Sequence, residues 1–145
     1  MNISMEFAYK IVQAYSMRCK PLCQEIRMPQ TAFDILMFLA NNPQFHTARD
    51  IVEIRKIKAN LVSVNVDKLV REGYLDRRES SEDRRKTLLE CTEKAGPVIE
   101  KGHQLQAAFL GELFGNIDDE SLAVFSRIMK MVGMNLDKMM ERQEN

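Results

Sequence analysis

The stretch from Ile57 to Cys91 constrains the fold more than any other part of this 145-residue chain. Apolar residues recur in it at spacings of three and four, which predicts a helix with one apolar face made of Val62, Val66, Leu69 and Val70. Gly73 ends this helix, because glycine enters the left-handed conformation without steric cost. Residues 74–78 and 86–90 have the pattern of two strands, joined by the polar loop 79–84.

The segment before this stretch completes a helix–turn–helix. Pro29 suits the first turn of a second helix, whose inner face is formed by Phe33, Leu36, Met37 and Ala40. Thr47 and Asp50 have the spacing of a capping box, which starts a short third helix. This helix, a brief turn and the fourth helix from Ala59 to Glu72 make the motif. The predicted fold is mainly α with a small β-hairpin wing, a winged helix–turn–helix.

The block resembles the MarR family of bacterial transcription regulators. That family's pattern has a recognition helix ending in Leu-x-x-x-Gly-Leu-Ile, then an Arg, a loop with Asp-x-Arg, and Leu-Thr-x-x-Gly opening the next helix. The matching segments here are residues 69–75, 83–85 and 91–95, with Arg77 at the position of the first arginine. The alignment needs no gap across the block, and the resemblance extends over nearly the whole chain.

The resemblance implies one domain in which residues 28–92 are the winged helix and residues 1–27 and 93–145 are dimerisation helices. The first helix, Glu6 to Ile26, contains Pro21, which we expect to kink or split it. Packing of this helix within one subunit is the alternative. The fifth helix should be capped by Thr92, have an irregular first turn and bury Leu105, Phe109, Leu110 and Leu113. The sixth should start near Asn116 and carry an apolar stripe of Leu122, Phe125, Met129, Val132, Leu136 and Met139.

The fourth helix and the wing carry the candidate DNA contacts, which are Asn60, Ser63, Val64, Lys68, Arg77, Arg84, Arg85 and Lys86. Asn can bond an adenine bidentately in the major groove, and Ser can bond a base edge or a phosphate. Val64 stands where relatives usually carry Arg. Asn65 stands where they carry Leu, so it lies either at the edge of the core or toward DNA.

In the wing, Asp83 is placed to brace the guanidinium of Arg85. A braced arginine at a hairpin tip suits a narrow, electronegative minor groove. By analogy with the family, Arg85 is that residue, and Arg84 and Lys86 lie on phosphates. Cys91 stands where the family has Leu, so we expect it to pack as an apolar residue.

The net charge of zero, from 21 basic and 21 acidic residues, is an objection to DNA binding. Local charge answers part of it. Residues 55–68 contain one acidic residue, Asp67, and four basic ones, Arg55, Lys56, Lys58 and Lys68. Between residues 77 and 86 there are five basic residues and three acidic ones. The balancing acids lie elsewhere, notably at residues 118–120.

The resemblance also suggests an effector pocket, for which the candidates are Tyr15, Phe33, Met37 and His46, with a small aromatic carboxylate as ligand. Cys19 and Cys23 lie four apart and share a helix face. Three interpretations of them remain open: small buried hydrophobes, redox sensors with a thiol pKa lowered by Arg18 and Lys20, or metal ligands. Two thiols would need two further ligands, so no metal site is assigned.

The predicted function is a dimeric, sequence-specific double-stranded DNA-binding regulator, a repressor relieved by a ligand or by thiol oxidation. The alternative is a winged helix that contacts proteins without DNA. An enzyme is not predicted, since the sequence has no nucleophile–base pair, carboxylate pair or phosphate loop, and no cofactor is expected. Neither a signal peptide nor a membrane-spanning stretch is recognisable, so we expect a cytoplasmic protein without membrane contact.

Overall fold

The computed structural model describes residues 5–143, which form six α-helices and one hairpin. The helices are α1 (Met5–Glu25), α2 (Gln30–Asn41), α3 (Ala48–Asp50), α4 (Ala59–Arg71), α5 (Gly96–Leu113) and α6 (Asp119–Glu141). The strands are β1 (Leu75–Glu79) and β2 (Thr87–Cys91), paired antiparallel with Leu75 opposite Cys91 and Glu79 opposite Thr87. The predicted class, mainly α with a hairpin wing, is confirmed.

The winged helix is built around α2. This helix is strongly apolar, and seven of its twelve residues are buried: Ala32, Phe33, Ile35, Leu36, Met37, Phe38 and Leu39. Its polar residues Gln30, Asp34 and Asn41 lie on one side of the helix, and the remaining sides face the core. Four further residues pack into the same core: Ile51, which directly follows α3, Val62 and Leu69 from α4, and Leu75 from β1. The core therefore ties the recognition helix and the base of the wing to one rigid element.

Helix α1 continues without a break through Pro21, so the expected split does not occur. Proline removes the hydrogen bond that its own N–H would donate to the carbonyl of Met17, four residues earlier. Both Pro21 and Met17 are exposed, so water can satisfy that carbonyl. Only Cys19 and Leu22 of α1 are buried, whereas Phe7 on the predicted apolar side is 59% exposed.

The capping box at the start of α3 is confirmed. The N–H of Asp50 donates to Thr47 Oγ1 (3.1 Å), and the N–H of Thr47 donates to Asp50 Oδ2 (3.0 Å). Burial raises the pKa of the Asp50 carboxyl, but bonds from the Thr47 side chain and from the N–H groups of Thr47 and His46 outweigh it and lower that pKa. Helix α3 continues as a wider helical turn over Ile51–Arg55, which ends at Lys56 in a left-handed conformation (φ 62°).

Gly73 ends α4 as predicted, with a φ of 82°. The N–H of Tyr74 donates to the carbonyl of Leu69 (2.8 Å) and that of Gly73 to the carbonyl of Val70 (3.0 Å), a Schellman motif. The motif uses Tyr74, so β1 begins at Leu75, one residue later than predicted. Strand β2 is shifted by one residue as well and begins at Thr87.

Thr92 does not cap α5 with its side chain; instead its hydroxyl donates to the carbonyl of Gly73 (2.6 Å). The irregular first turn is confirmed as a 3₁₀ turn over Glu93–Ala95, after which α5 starts at Gly96. Cys91 is half-buried and packs against the core, as expected of an apolar residue.

The described residues form two compact units that divide between Phe109 and Leu110, so α5 spans the division. In the second unit Asp118 caps α6, accepting the N–H of Ser121 (2.9 Å), and Asn116 precedes it with a φ of 65°. None of the described residues of α6 is buried, and on α5 Leu110 and Leu113 are exposed rather than buried. The stripe predicted on α6 includes Phe125, Met129 and Leu136, which are about half exposed.

Candidate nucleic-acid interface

Helix α4 turns one side to the core and the other to solvent. Val62, Val66 and Leu69 are buried, and the periodicity of the helix directs Asn60, Ser63 and Val64 away from them. All three are exposed, and Val64 is 65% exposed although it is apolar. The exposed side of α4 thus offers an amide, a hydroxyl and an aliphatic side chain.

Asn65 belongs to the core side of α4. It is only 8% exposed, and its Nδ2 donates to the carbonyl of Leu61 one turn earlier (2.8 Å). This bond satisfies an amide that would otherwise be costly to bury among apolar side chains. Of the two interpretations of Asn65, the structure supports the edge of the core.

Two of the predicted DNA contacts are engaged in ion pairs. Lys68 Nζ lies 2.9 Å from Glu72 Oε1, four residues along α4. Arg77 in β1 pairs with Asp67 in α4. The second pair joins the wing directly to the exposed side of α4, so it fixes the hairpin beside the helix.

The tip of the wing, residues 80–86, is held by short-range hydrogen bonds. Ser80 Oγ accepts the N–H groups of Glu82 and Asp83, both at 3.3 Å, and the N–H of Lys86 donates to the carbonyl of Asp83 (3.0 Å). Asp83 Oδ1 accepts the backbone N–H of Arg85 at 3.0 Å. Asp83 was predicted to brace the guanidinium of Arg85, but it bonds the backbone N–H of that residue instead. A carboxylate commonly accepts the N–H group two residues later in a turn.

The three basic residues of the tip, Arg84, Arg85 and Lys86, are all exposed. The carboxylate of Asp83 thus bonds the backbone of Arg85, whose side chain is exposed. Behind the tip, Lys94 Nζ donates to the carbonyl of Glu72 (2.5 Å) and lies 4.7 Å from the ring centroid of Tyr74. The base of the wing is therefore anchored while its tip presents positive charge.

A hollow of about 310 Å³ separates the wing from the helix–turn–helix. Its lining includes Arg49 from α3, Ser63 from α4, and Arg77 and Thr87 from the wing. Arg49 was not expected here; its guanidinium pairs with Glu53 at 2.7 Å on an exposed surface. The capping box gave its position at the start of α3, but no sequence pattern indicated that it faces the wing.

The family comparison matches the same region of the chain. The model described as the MarR family matches residues 28–86, which contain α2, α3, α4, β1 and the wing tip. The match covers the winged-helix part of the chain, which is therefore similar to that of MarR proteins. No curated protein sequence matches the chain.

Solved structures of MarR proteins share the fold. A putative MarR family transcriptional regulator from Listeria monocytogenes, complexed with 26mer DNA, aligns over 94% of this chain and 90% of its own with a TM-score of 0.82 and 17% identity. A MarR protein from Peptoclostridium difficile aligns over 95% and 89% with a TM-score of 0.78 and 20% identity. Wild-type MarR from E. coli, in its apo form, aligns over 91% and 98% with a TM-score of 0.68 and 18% identity.

A second site candidate in the MarR-like fold is a cavity of about 170 Å³ beside α2. Tyr15 and Met37 line it, together with Asp34, Phe38, Asn41, Asn42, Arg55 and Gln106. The other two candidate effector contacts do not. Phe33 is fully buried in the core, and His46 lies beside the wing, where its carbonyl accepts the N–H of Leu89 (2.7 Å).

The cavity wall is polar. Gln106 Nε2 donates to the hydroxyl of Tyr15 (3.1 Å), and Asn41 Nδ2 donates to Gln106 Oε1 (3.1 Å). Burial raises the pKa of Tyr15 to about 12, so its hydroxyl is neutral at physiological pH. The guanidinium of Arg55 lies 3.6 Å from the carboxylate of Asp34. Burial raises the pKa of the Asp34 carboxyl, and the charge of Arg55 only partly opposes this rise.

The two cysteines of α1 lie in surroundings that disfavour the thiolate. Cys19 is fully buried and Cys23 half-buried. Burial is the main cause that raises the pKa of both thiols, that of Cys23 to about 11. A redox sensor needs a lowered pKa, so the expected influence of Arg18 and Lys20 is not realised. The structure favours the interpretation of small buried hydrophobes.

Among residues 5–143, no group of three or more His, Cys, Asp or Glu side chains could hold a metal ion. Within that same range, no helix is both long and apolar enough to cross a membrane.

Proposed function

We propose that this chain is a sequence-specific, double-stranded DNA-binding regulator of transcription. The observation that carries the proposal is the pairing of two surfaces on one rigid core. Helix α4 exposes Asn60 and Ser63, and the adjacent wing exposes three successive basic residues, 84–86. A helix of this kind fits the major groove, where amides and hydroxyls reach base edges. The MarR family model, and a structural relative crystallised with DNA, support the same reading.

In this proposal α4 lies in the major groove, with Asn60 and Ser63 on bases. The wing lies over the flanking minor groove, where Arg85 enters and Arg84 and Lys86 contact phosphates. Lys68 and Arg77 bind DNA only where a phosphate competes with their present partners, Glu72 and Asp67. These two residues therefore contribute less to affinity than the unpaired cations of the tip.

The regulator acts as a homodimer. Helix α6 exposes apolar residues around much of its surface, including Val124, Ile128 and Met131 outside the predicted stripe. A helix that is apolar on several sides is normally buried, and a second copy of the chain supplies the cover. Two copies present two recognition helices, which calls for a nearly palindromic operator. A protein with this role acts where the chromosome lies, so we place it in the cytoplasm.

A small aromatic carboxylate is the proposed effector, and its binding relieves repression. The cavity beside α2 offers the Arg55 guanidinium, for which a ligand carboxylate competes with Asp34, and the Tyr15, Met37 and Phe38 side chains for a ring. At about 170 Å³ it is smaller than most drug-sized sites, so only small ligands fit. Salicylate and benzoate at millimolar concentration should weaken operator binding, and Arg55→Ala should abolish the response. Unchanged operator affinity with both acids would exclude this class of effector.

Selection of bound fragments from random duplex DNA tests the proposed function. The purified chain should enrich one nearly palindromic sequence, and it should bind this sequence at least a thousandfold more tightly than random DNA at physiological salt. The affinity should fall steeply as salt rises, because phosphate contacts release counterions. If no sequence is enriched while the chain is folded by circular dichroism, the protein does not act as this kind of regulator, and contact with another protein becomes the leading function.

A further inference from the structure

The recognition helix carries two exposed aliphatic side chains that the fold does not use. Leu61 is 43% exposed and Val64 is 65% exposed, whereas the buried residues Val62, Val66 and Leu69 of the same helix are 4% exposed or less. Residues three apart on a helix are neighbours on its surface. Leu61 and Val64 therefore form a continuous aliphatic patch in the first two turns of α4.

The patch lies among the residues proposed to reach bases. Val64 is one turn after Asn60 on the same side of the helix, and Ser63 precedes it directly. The first turns of a recognition helix are the part that meets base edges. Single exposed hydrophobes need no explanation, but here two adjacent ones occupy the position at which base edges are met.

The major groove offers one apolar group to such a patch, the 5-methyl group of thymine. Asn60, the neighbouring polar residue, has the amide that pairs with the N6 and N7 atoms of adenine. Residues 59–64 contain no arginine or lysine, so they lack the side chains that most often read guanine. Amide and aliphatic groups together match the edge of an A·T pair.

We propose that Leu61 and Val64 bind thymine methyl groups, so that α4 selects A·T pairs in each half of the operator. This inference rests on the proposed function and specifies the bases that it recognises. Relatives usually carry an arginine at the position of Val64. With valine there, α4 recognises a different base and does not lose specificity. The bond that Leu61 makes to Asn65 uses its backbone carbonyl, so its side chain remains available.

Replacement of thymine by deoxyuridine in the selected operator tests the proposal. Deoxyuridine keeps the pairing and the O4 acceptor but lacks the methyl group, so it deletes only the proposed contact. One symmetric pair of thymines is replaced at a time, and dissociation constants are measured by fluorescence anisotropy. Loss of one buried methyl group weakens binding about fourfold. Replacement of a symmetric pair of thymines at the α4 sites should therefore raise the dissociation constant about fifteenfold.

Two controls make the test specific. Deoxyuridine placed in the flanks beneath the wings should change nothing, because the methyl group lies in the major groove and the wing is in the minor groove. Val64→Ala should weaken binding to the parent operator. This variant should bind one of the sensitive deoxyuridine duplexes as tightly as it binds the parent operator, because the contact to that methyl group is already lost. Leu61→Ala should do the same for a different thymine. Circular dichroism confirms that both variants fold.

The outcomes separate this inference from the function beneath it. If every deoxyuridine duplex binds as tightly as the parent operator, and the operator is still preferred over random DNA, the methyl contacts are wrong and the regulator stands. If the selected operator has no A·T pairs at the α4 positions, the inference is also wrong. If no operator is enriched at all, the proposed function fails and the inference falls with it.

Discussion

The Asp83 side chain organises the wing tip through a hydrogen bond to the backbone. Its Oδ1 accepts the N–H of Arg85 at 3.0 Å, while Ser80 holds the preceding residues from the other side. The bond fixes the backbone from which the Arg85 side chain projects. In the proposed complex, Asp83 thus determines how Arg85 enters the narrow groove without contacting DNA itself.

Substitution of Asp83 should reveal this role. Asp83→Ala removes the acceptor, so operator affinity should fall about fivefold, the value of one ordinary hydrogen bond. Asp83→Asn keeps an acceptor oxygen and should bind more tightly than Asp83→Ala. Both variants lose the negative charge, so their difference isolates the hydrogen bond. Equal affinities in an anisotropy titration would show that the tip does not need this contact.

The Cys23 thiol gives a second prediction at the scale of single residues. Burial raises its pKa to about 11 from an ordinary value of 9.0. At neutral pH it should carry about a hundredfold less thiolate than an exposed thiol. Its alkylation by iodoacetamide, followed by peptide mass spectrometry, should therefore rise with a midpoint near pH 11. A midpoint below pH 8.5 would contradict the burial and would revive the redox reading.

The raised pKa of Cys23 also determines how stability changes with pH. Because the folded pKa of Cys23 exceeds the unfolded one, its contribution to stability is complete below about pH 9 and is lost as pH rises through about 11. Cys23→Ser should remove that part of the alkaline loss. Tyr15 acts in the same direction at higher pH, since its pKa rises to about 12.

Among the elements, the junction of α4 with the wing is fixed most tightly. Gly73 ends α4 in a left-handed conformation, and its carbonyl accepts the hydroxyl of Thr92 (2.6 Å). The carbonyl of Glu72 accepts Lys94 Nζ (2.5 Å). The Arg77–Asp67 pair adds a contact further out. These contacts therefore hold the helix and the hairpin together.

Gly73→Ala should destabilise this junction. A left-handed φ of 82° costs a residue with a Cβ about 1–2 kcal/mol, although the nearest atom to the added carbon, Lys94 Cδ, is 3.5 Å away and leaves room for it. Gly96→Ala is the matched control, since Gly96 has helical angles and nothing within 4 Å of an added Cβ. Urea unfolding should show a loss for the first variant and none for the second. Equal stabilities would refute the conformational argument.

Local patterns predicted the elements better than the site. The capping box at Thr47 and the stop at Gly73 depend on residues a few positions apart, so the sequence alone defines them. The members of the cavity depend on how α1, α2 and α5 pack, and spacing along the chain carries no such information. Of the four candidate effector contacts, Tyr15 and Met37 line this cavity, whereas Phe33 and His46 do not. Thr92 was predicted as a cap, but its hydroxyl donates to the carbonyl of Gly73 and accepts no N–H group of the following helix.

At the scale of the whole molecule, the exposed apolar surface determines how the chain assembles. In the first unit, α2 and its neighbours bury a continuous core. In the second, α6 leaves Phe125, Ile128 and Met129 between 45% and 50% exposed. Apolar surface of this extent favours association with another copy through an interface of roughly 2,000 Å² or more, the size typical of permanent dimers.

Light scattering at micromolar concentration should give a mass of about 34 kDa, twice the 16.8 kDa of one chain. Met129→Glu places a charge in the α6 stripe and should shift the protein toward monomer. Ala123→Glu, on the opposite side of α6 and also exposed, is the control and should leave the dimer intact. A parent protein of single-chain mass would contradict the assembly, and the two-fold model of DNA binding with it.

A hydroxyl-radical footprint on the selected operator tests the central claim most directly, that two copies of α4 and two wings hold a palindromic site. The account predicts a two-fold symmetric footprint with two central protected segments about one helical turn apart. Protection should extend into both flanks beneath the wings, and Arg85→Ala should lose the flanking protection while keeping the centre. A footprint without two-fold symmetry, or flanks that Arg85→Ala leaves unchanged, would contradict it.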